Sequence, residues 1–238
     1  KSYQSQALYS ITNQWITPEY NFEKANIIVS LGEDFLGKNN QSVKYANSFS
    51  KRRDPRHKNG LNRLYCAETT YTLTGGKSDH RIKLSPKEIE AFTYQLAHQL
   101  IRKGLTVPAK YTLIKKEISQ RALKYNGNYD KKIMKAICAD LLANEGKSII
   151  CAGSDQPETV HTLVYILNNL LKNNQTISYL KKPFNTQLHQ QIKNEKSIYW
   201  LNKLLNKKAI NTLIILDGNP IYTSCYLHTS HLLNKRLV

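Results

Sequence analysis

Acidic residues and glycines follow four short apolar runs of this sequence, and these residue types suit the binding of a nucleotide. The runs occupy residues 26–31, 61–67, 147–152 and 211–216. In chain order, the residues that follow them are Gly32 with Asp34, Glu68, Gly153 with Asp155, and Asp217 with Gly218 and Asn219. Glycine lets backbone approach a phosphate closely, and a carboxylate accepts hydrogen bonds from ribose hydroxyls. These positions predict a ligand site if the four runs are strands that end at one edge of a sheet.

A purely structural interpretation of the same positions stays open. Glycine and aspartate also form strand-to-helix turns and helix caps without any ligand. The sequence contains none of the motifs of P-loop NTPases, Rossmann dinucleotide-binding proteins, zinc metalloproteases or serine hydrolases. No spacing of serine, histidine and aspartate nominates a catalytic triad. We therefore assign no catalytic residue.

The four cysteines do not form a metal-binding pattern, because they are far apart and no CxxC occurs. Cys66 and Cys151 each lie in an apolar run, which favours small buried thiols. Cys225, His228 and His231 have the spacing of a metal clip, but no neighbouring residue would orient them as ligands. We predict no metal site in this chain.

The elements that would position these residues alternate between strand and helix. The four runs are rich in Ile, Val and Leu without polar alternation, as in strands covered on both faces. Helical periodicity marks residues 85–104, 130–144, 157–171 and 197–206, and the first of these opens with a Ser-Pro-x-Glu start. The predicted fold class is α/β, with a mostly parallel sheet, helices on both faces and a dinucleotide-binding-like arrangement.

Three segments follow from this order of elements. Residues 1–110 and 111–222 each carry two of the predicted strands, so we expect two α/β segments. Residues 172–196 are rich in Lys and Asn with little periodicity, and we expect them to be a long connection. Residues 223–238 form a third segment, a tail without the preceding pattern.

Composition limits the class of protein. The chain has 238 residues with 40% hydrophobic and 22% charged residues, which fits neither a disordered nor a membrane-spanning chain. Its net charge of +18 has its densest cluster at residues 51–58, so a basic nucleic-acid-binding module is one alternative. Lys, Asn, Ile and Tyr are nevertheless enriched along the whole chain, which favours compositional drift. The chain starts at Lys1 and its one methionine is Met134, so we expect a piece of something longer.

Four longer strings resemble one protein family in the same order. They are KANIIVSLGEDFLG at 24–37, NRLYCAETTYTLTGGKSDHR at 62–81, GKSIICAGSDQPETVH at 146–161 and TLIILDGNP at 212–220. Together they resemble the molybdopterin oxidoreductases over about residues 20–222. The similarity is greatest to the large molybdopterin-like iron–sulfur subunit of bacterial alternative complex III and related quinone-linked complexes.

The resemblance implies a middle fragment of a larger subunit whose α/β domains hold molybdopterin guanine dinucleotide. It implies that Glu68 lies near a nucleotide and that the Gly218–Pro220 turn lies near a pterin. The tentative cofactor-binding residues are Gly32, Asp34, Glu68, Thr74, Asp79, Gly153, Gly218, Asn219 and Pro220. The alternative complex III branch is thought to keep this fold without the cofactor. We therefore expect no cofactor within this stretch, and iron–sulfur clusters only in regions outside it.

The expected function is a scaffold domain in a respiratory, quinol-oxidising electron-transfer complex, not catalytic by itself. A true molybdenum-cofactor oxidoreductase is the alternative within the family. The implied partners are other subunits of a membrane respiratory complex, at the periplasmic face of a bacterial inner membrane, with no direct membrane span. Binding of nucleic acid is not expected. After Tyr222 the sequence departs from the family pattern, as a truncated or frameshifted reading frame would.

Overall fold

The computed structural model describes residues 3–124, 129–181, 198–215 and 222. The chain divides into two compact units, Lys1–Lys182 and Pro183–Val238. The strands of the first unit are β1 (Ile16–Tyr20), β2 (Ile27–Leu31), β3 (Arg63–Glu68), β4 (His80–Lys83), β5 (Ser148–Ala152) and β6 (Ile177–Lys181). Its helices are α1 (Tyr3–Thr12), α2 (Ser42–Lys51), α3 (Leu73–Gly76), α4 (Pro86–Arg102), α5 (Thr112–Lys124), α6 (Lys131–Ala143) and α7 (Glu158–Leu170).

Four strands form a parallel sheet in the order β4-β3-β2-β5. Every residue of β2 is buried, because neighbouring strands flank it and both faces are covered. Val29 and Leu31 belong to an apolar cluster with α4, α6 and α7, whereas Ile28 belongs to a second cluster on the opposite face. The predicted α/β class with a parallel sheet is confirmed, with helices packed on both faces.

The second face is covered by α2 and by a two-stranded antiparallel sheet of β1 and β6. The segment predicted as a long connection or excursion, 172–196, contains β6, and its residues from 182 onward lie outside the described residues. The boundary predicted between residues 110 and 111 falls inside the compact unit Lys1–Lys182, in which β2 from the first predicted segment pairs with β5 from the second.

The helix starts that the sequence predicted are present. In α4 the side chain of Glu88 accepts hydrogen bonds from Ser85 N and Oγ, both at 2.7 Å, and Pro86 occupies the first helical position. These contacts satisfy backbone donors that a helix leaves free at its N-terminus. Apolar residues at spacings of three and four then place one side of α4 against the sheet.

The second unit contains helix α8 (Ile198–Asn206), where Leu205 packs against Leu201, Ile210 and Leu213. The strand predicted at 211–216 is not formed over residues 211–215, which have no strand structure. Residue 216 and the Gly-Asn-Pro turn that follows lie outside the described residues. Among the described helices, none has the length and apolar content that a membrane crossing requires.

Candidate ligand-binding site

The carboxyl ends of β2 and β5 meet at the point where the chain changes direction across the sheet. From β2 the chain continues to β3 on one side, and it later returns to β5 on the other side. Gly32 and Gly153 follow these two strands, with Gly153 N donating to Leu31 O at 3.1 Å. Such switch points are where open α/β sheets bind ligands, because the loops part there and leave a crevice.

Glycine is required at both positions of this switch point. A Cβ on Gly153 would overlap the carbonyl oxygen of Gly32, so the two backbones come together as no other residue type allows. Gly32 has a φ of +70°, and a Cβ there would lie 2.7 Å from Nε2 of Gln156. The structure thus brings together two of the predicted residues, with Gly153 buried and the side chain of Gln156 packed against Gly32.

Asp34 and Thr74, two further predicted residues, contact each other at the same edge. Oδ1 of Asp34 accepts hydrogen bonds from Thr74 N at 3.0 Å and from Thr74 Oγ1 at 2.8 Å. Thr74 Oγ1 in turn accepts from Leu36 N at 3.1 Å. The Asp34 carboxylate therefore joins the loop after β2 to α3, and its Oδ1 is already occupied by two hydrogen bonds within the chain.

Glu68 ends β3 and is 3% exposed. Its carboxylate forms an ion pair with Arg81 and accepts a hydrogen bond from Thr72 Oγ1 at 2.6 Å. Gly75 packs against it so closely that a Cβ there would overlap the carboxylate. The guanidinium of Arg81 also lies 4.9 Å from the centre of the Tyr71 ring. These groups of the chain itself surround the carboxylate that the resemblance placed near a nucleotide.

Asp79 lies at the opposite, amino edge of the sheet, away from the other predicted residues. Its carboxylate pairs with both terminal nitrogens of Arg53, at 2.8 and 2.7 Å, and accepts from Leu64 N at 2.7 Å. Burial alone would raise the pKa of Asp79, but these hydrogen bonds outweigh it and the pKa is lowered. Gly218, Asn219 and Pro220 lie outside the described residues.

Three polar residues beside Gly32 and Gly153 escaped the sequence analysis: Glu33, Gln156 and His161. Oε1 of Gln156 and Nε2 of His161 are buried without a hydrogen-bond partner among the described residues. Burial lowers the pKa of His161 to about 4, although the imidazole hydrogen-bonds to the backbone of Gln156 and Gly153. Burial raises the pKa of Glu33, against a hydrogen bond from Asn39. Only their neighbours in the sequence could have pointed to these residues, since Glu33 precedes the predicted Asp34 and Gln156 precedes the proline before α7.

Within the described residues, no group of three or more His, Cys, Asp or Glu side chains is placed to hold a metal ion. Cys66 and Cys151 are buried in the sheet as predicted, on either side of Ser30. Burial raises the pKa of Cys66 to about 12 and raises that of Cys151 well above its ordinary value, so both thiols stay protonated. Cys225, His228 and His231 lie outside the described residues.

The basic cluster at residues 51–58 is largely paired with groups of the chain itself. Arg52 is 1% exposed and donates to the carbonyls of Gly60, Asn59 and Glu23 and to Asn26 Oδ1. The ion pairs of its neighbours are Lys51–Glu23, Arg53–Asp79 and Arg56–Asp54. A phosphate backbone would have to displace these partners, which weakens the case for a nucleic-acid surface here.

The fold defines a class: an α/β chain with a parallel sheet and a topological switch point between β2 and β5. Among solved structures, it is similar to acetylene hydratase from Pelobacter acetylenicus, with a TM-score of 0.57 and 12% sequence identity. The match covers 74% of this chain and 25% of that one, so this chain spans about a quarter of its length. No protein-family model and no curated protein matches the sequence. At this identity the similarity concerns the fold.

Proposed function

We propose that this chain is an α/β domain of a molybdopterin oxidoreductase-like subunit. The observation that carries the proposal is the close backbone contact between Gly32 and Gly153, at the switch point of a parallel sheet. The structural similarity to acetylene hydratase, a molybdopterin-family enzyme, supports it, as does the order of the four sequence strings. Both kinds of support are distant, and they point to the same family independently.

Within that family the chain acts as a scaffold in a quinol-oxidising respiratory complex and carries no redox centre of its own. The contacts of Asp34 and Glu68 support this role, because other groups of the chain use both carboxylates. The proposal includes other subunits of the complex as partners and the periplasmic face of a bacterial inner membrane as location.

A true molybdenum-cofactor oxidoreductase is the second candidate, and one observation favours it. Gln156 Oε1 is a buried acceptor without a partner in the described residues, and its amide lies beside Gly32. Leaving such an atom unpaired costs about 1–3 kcal/mol, and a ligand that donates to it would recover that. A nucleotide end of the cofactor that donates to Gln156 Oε1 would therefore be held beside Gly32. The bound cofactor would supply the redox centre.

The test is performed on the protein isolated from its native cells, with and without Gln156→Leu. Pterin is measured by fluorescence after oxidative release, molybdenum by plasma mass spectrometry, and partners by mass spectrometry of the membrane fraction. The scaffold role predicts neither pterin nor molybdenum, and co-purification with respiratory subunits. Copies of the protein that isolate without any respiratory subunit would overturn it.

Stoichiometric pterin would instead select the molybdenum-cofactor candidate. In that case Gln156→Leu should release the pterin while Gln175→Leu, on an exposed side chain elsewhere in the first unit, should retain it. Equal retention by both variants would contradict the role given to Gln156.

A further inference from the structure

A cavity of about 330 Å³ lies between α4, α5 and α6, and neither Gly32, Gly153 nor Gln156 lines it. Its volume is at the lower end of the range for small-molecule sites, about 300–1,000 Å³. It therefore has room for one compact ligand of mononucleotide size. Nothing in the proposed function uses this cavity.

The charges that line this cavity all have one sign. Arg102 and Lys103 come from the end of α4, and Lys131 and Lys135 come from the beginning of α6. No aspartate or glutamate is among the lining residues. In the part of the chain that the structure describes, none of these four cations forms an ion pair or a side-chain hydrogen bond.

The unpaired state of Arg102 contrasts with the other arginines. The remaining arginines among the described residues all hydrogen-bond or ion-pair with oxygen atoms of the chain: Arg52, Arg53, Arg56, Arg63, Arg81 and Arg121. Guanidinium groups match phosphate oxygens in a planar, two-point geometry. The guanidinium of Arg102 can therefore bind a phosphate without first losing a partner in the described part of the chain.

The position of the two α6 lysines points the same way. Helix N-termini carry a partial positive charge and favour anions, yet the first turn of α6 has no acidic residue. Only Asp130, the residue before the helix, opposes this, with its side chain accepting from Lys132 N at 2.7 Å. Lys131 and Lys135 therefore repel the helix end and each other until an anion lies between them and α4.

One wall of the cavity is apolar and held in place. Tyr129 packs edge-on against Phe92, with ring centres 5.0 Å apart, and its hydroxyl hydrogen-bonds to Gln95. Met134 and Cys138 are buried beside it. Burial raises the pKa of Cys138 to about 11, so the thiol is a neutral part of this wall. A fixed aromatic ring beside four cations suits a base and its phosphates.

We propose that this cavity binds a nucleoside polyphosphate, with its phosphates on Arg102, Lys103, Lys131 and Lys135 and its base against Tyr129 and Met134. The inference is independent of the proposed function, because neither Gly32, Gly153 nor Gln156 takes part. A single-stranded nucleic acid would use similar chemistry. The limited volume favours a mononucleotide, and an oligonucleotide is included in the test.

The test titrates the purified full chain with ADP at low salt by calorimetry, and compares adenosine, inorganic pyrophosphate and a single-stranded RNA oligonucleotide. We expect ADP to bind more tightly than either adenosine or pyrophosphate. Arg102→Gln/Lys135→Gln should weaken ADP at least about tenfold, because two charge-assisted phosphate contacts are removed. Absence of ADP binding, equal binding of adenosine, or tighter binding of the RNA would overturn the proposal.

The matched control is Lys87→Gln/Lys116→Gln, which removes two exposed charges from α4 and α5 outside the cavity. It should change ADP affinity less than about twofold, as expected for screened surface charges. An equal loss in both double variants would show non-specific attraction to a basic chain and refute the site. A measurement without variants is lysine acetylation read by mass spectrometry. ADP should protect Lys103, Lys131 and Lys135 and leave Lys87 unprotected, and uniform protection would contradict the proposal.

Discussion

Gly32 and Gly153 shape the candidate site because neither residue has a side chain. Their backbones meet where β2 and β5 end, and the hydrogen bond from Gly153 N to Leu31 O holds the two loops together. Beside them, Gln156 and His161 are buried with one unpartnered polar atom each in the described structure. The candidate site is thus a contact between two backbones with buried polar groups beside it. The carboxylates of Asp34 and Glu68 bind other residues of the chain.

Gly153→Ala should destabilise the chain strongly, because the added methyl group overlaps the Gly32 carbonyl and backbone must move. We expect a loss of at least about 2 kcal/mol in the free energy of unfolding, measured by urea titration. Gly60→Ala is the control: its φ is +69° and a Cβ there meets nothing within 4 Å. The control should lose about 1 kcal/mol from backbone strain alone. Equal losses would contradict the close contact.

His161 should make the stability of the chain depend on pH. Its pKa is lowered by burial to about 4 in the folded chain, against about 6.5 when unfolded, so the unfolded chain binds the additional proton between these values. Stability is therefore complete above about pH 6.5 and falls by about 3 kcal/mol on acidification to pH 4. Urea titrations across this range should show the fall in the parent chain.

His161→Gln removes the titrating group and should flatten the pH dependence between 6.5 and 4. His57→Gln, in the loop after α2, should leave it intact. A parent-like slope in His161→Gln would show that other groups cause the loss.

The elements of the first unit differ in how strongly their own sequence specifies them. Helix α4 has a complete start and a continuous apolar side, whereas β1 and β6 have alternating or largely exposed residues and depend on each other for pairing. Strands β2 and β5 are buried throughout. Local sequence therefore determines α4, and distant pairing determines the two-stranded sheet.

The start of α4 is testable on its own. Glu88→Ala removes the acceptor for Ser85 N and Oγ, and we expect a loss of about 1 kcal/mol, typical of a lost helix cap. Lys87→Ala, one position earlier and exposed, should change stability by less than about 0.5 kcal/mol. Thermal unfolding followed by circular dichroism measures both. Indistinguishable melting temperatures would exclude a contribution from the cap.

Apolar runs identified β2, β3 and β5 to within two residues because burial on both faces leaves a clear pattern. The similar run at 211–216 failed over its described part, where Leu213 packs on α8 while Ile214 is largely exposed. A run of this kind shows that residues are apolar and leaves open whether another strand is available for pairing. β1 and β6 were missed for the same reason, since their partners lie more than 150 positions apart.

The site was predictable to the extent that strand ends were. Gly32 and Gly153 follow strands that the pattern identified, and they meet as expected. Asp79 was a tentative cofactor-binding residue through the resemblance alone, and β4, which positions it, was not predicted. β4 has four residues, of which only Ile82 is buried, so its sequence has no strand pattern. Asp79 precedes β4 and therefore lies at the amino edge.

At the scale of the whole molecule, both large apolar clusters belong to residues 1–182. They cover the two faces of the parallel sheet, and each of the six strands contributes at least one residue to them. The net charge of +18 is distributed over this unit and beyond, with many cations paired locally. The apolar clusters that stabilise the first unit are therefore distinct from the residues that carry the net charge.

A chain of residues 1–182 should fold by itself, because its clusters need no residue from the second unit. Urea unfolding should be cooperative, with a free energy within about 1 kcal/mol of that of the full chain, a small part of a typical domain stability. A chain of residues 1–140 is the control and should not fold, since it lacks β5 and α7. Loss of cooperative unfolding in the longer chain would show dependence on the second unit.

Strand β2 also separates Cys66 from Cys151. Both face Ser30 in register, one from each neighbouring strand, so their Cα atoms are two strand spacings apart, about 10 Å. A disulfide requires Cα atoms within about 7 Å. Oxidation therefore cannot link these two thiols without breaking the centre of the sheet. The sheet tolerates an oxidising compartment as well as a reducing one, and neither glutathione nor a disulfide-forming enzyme would change its covalent structure.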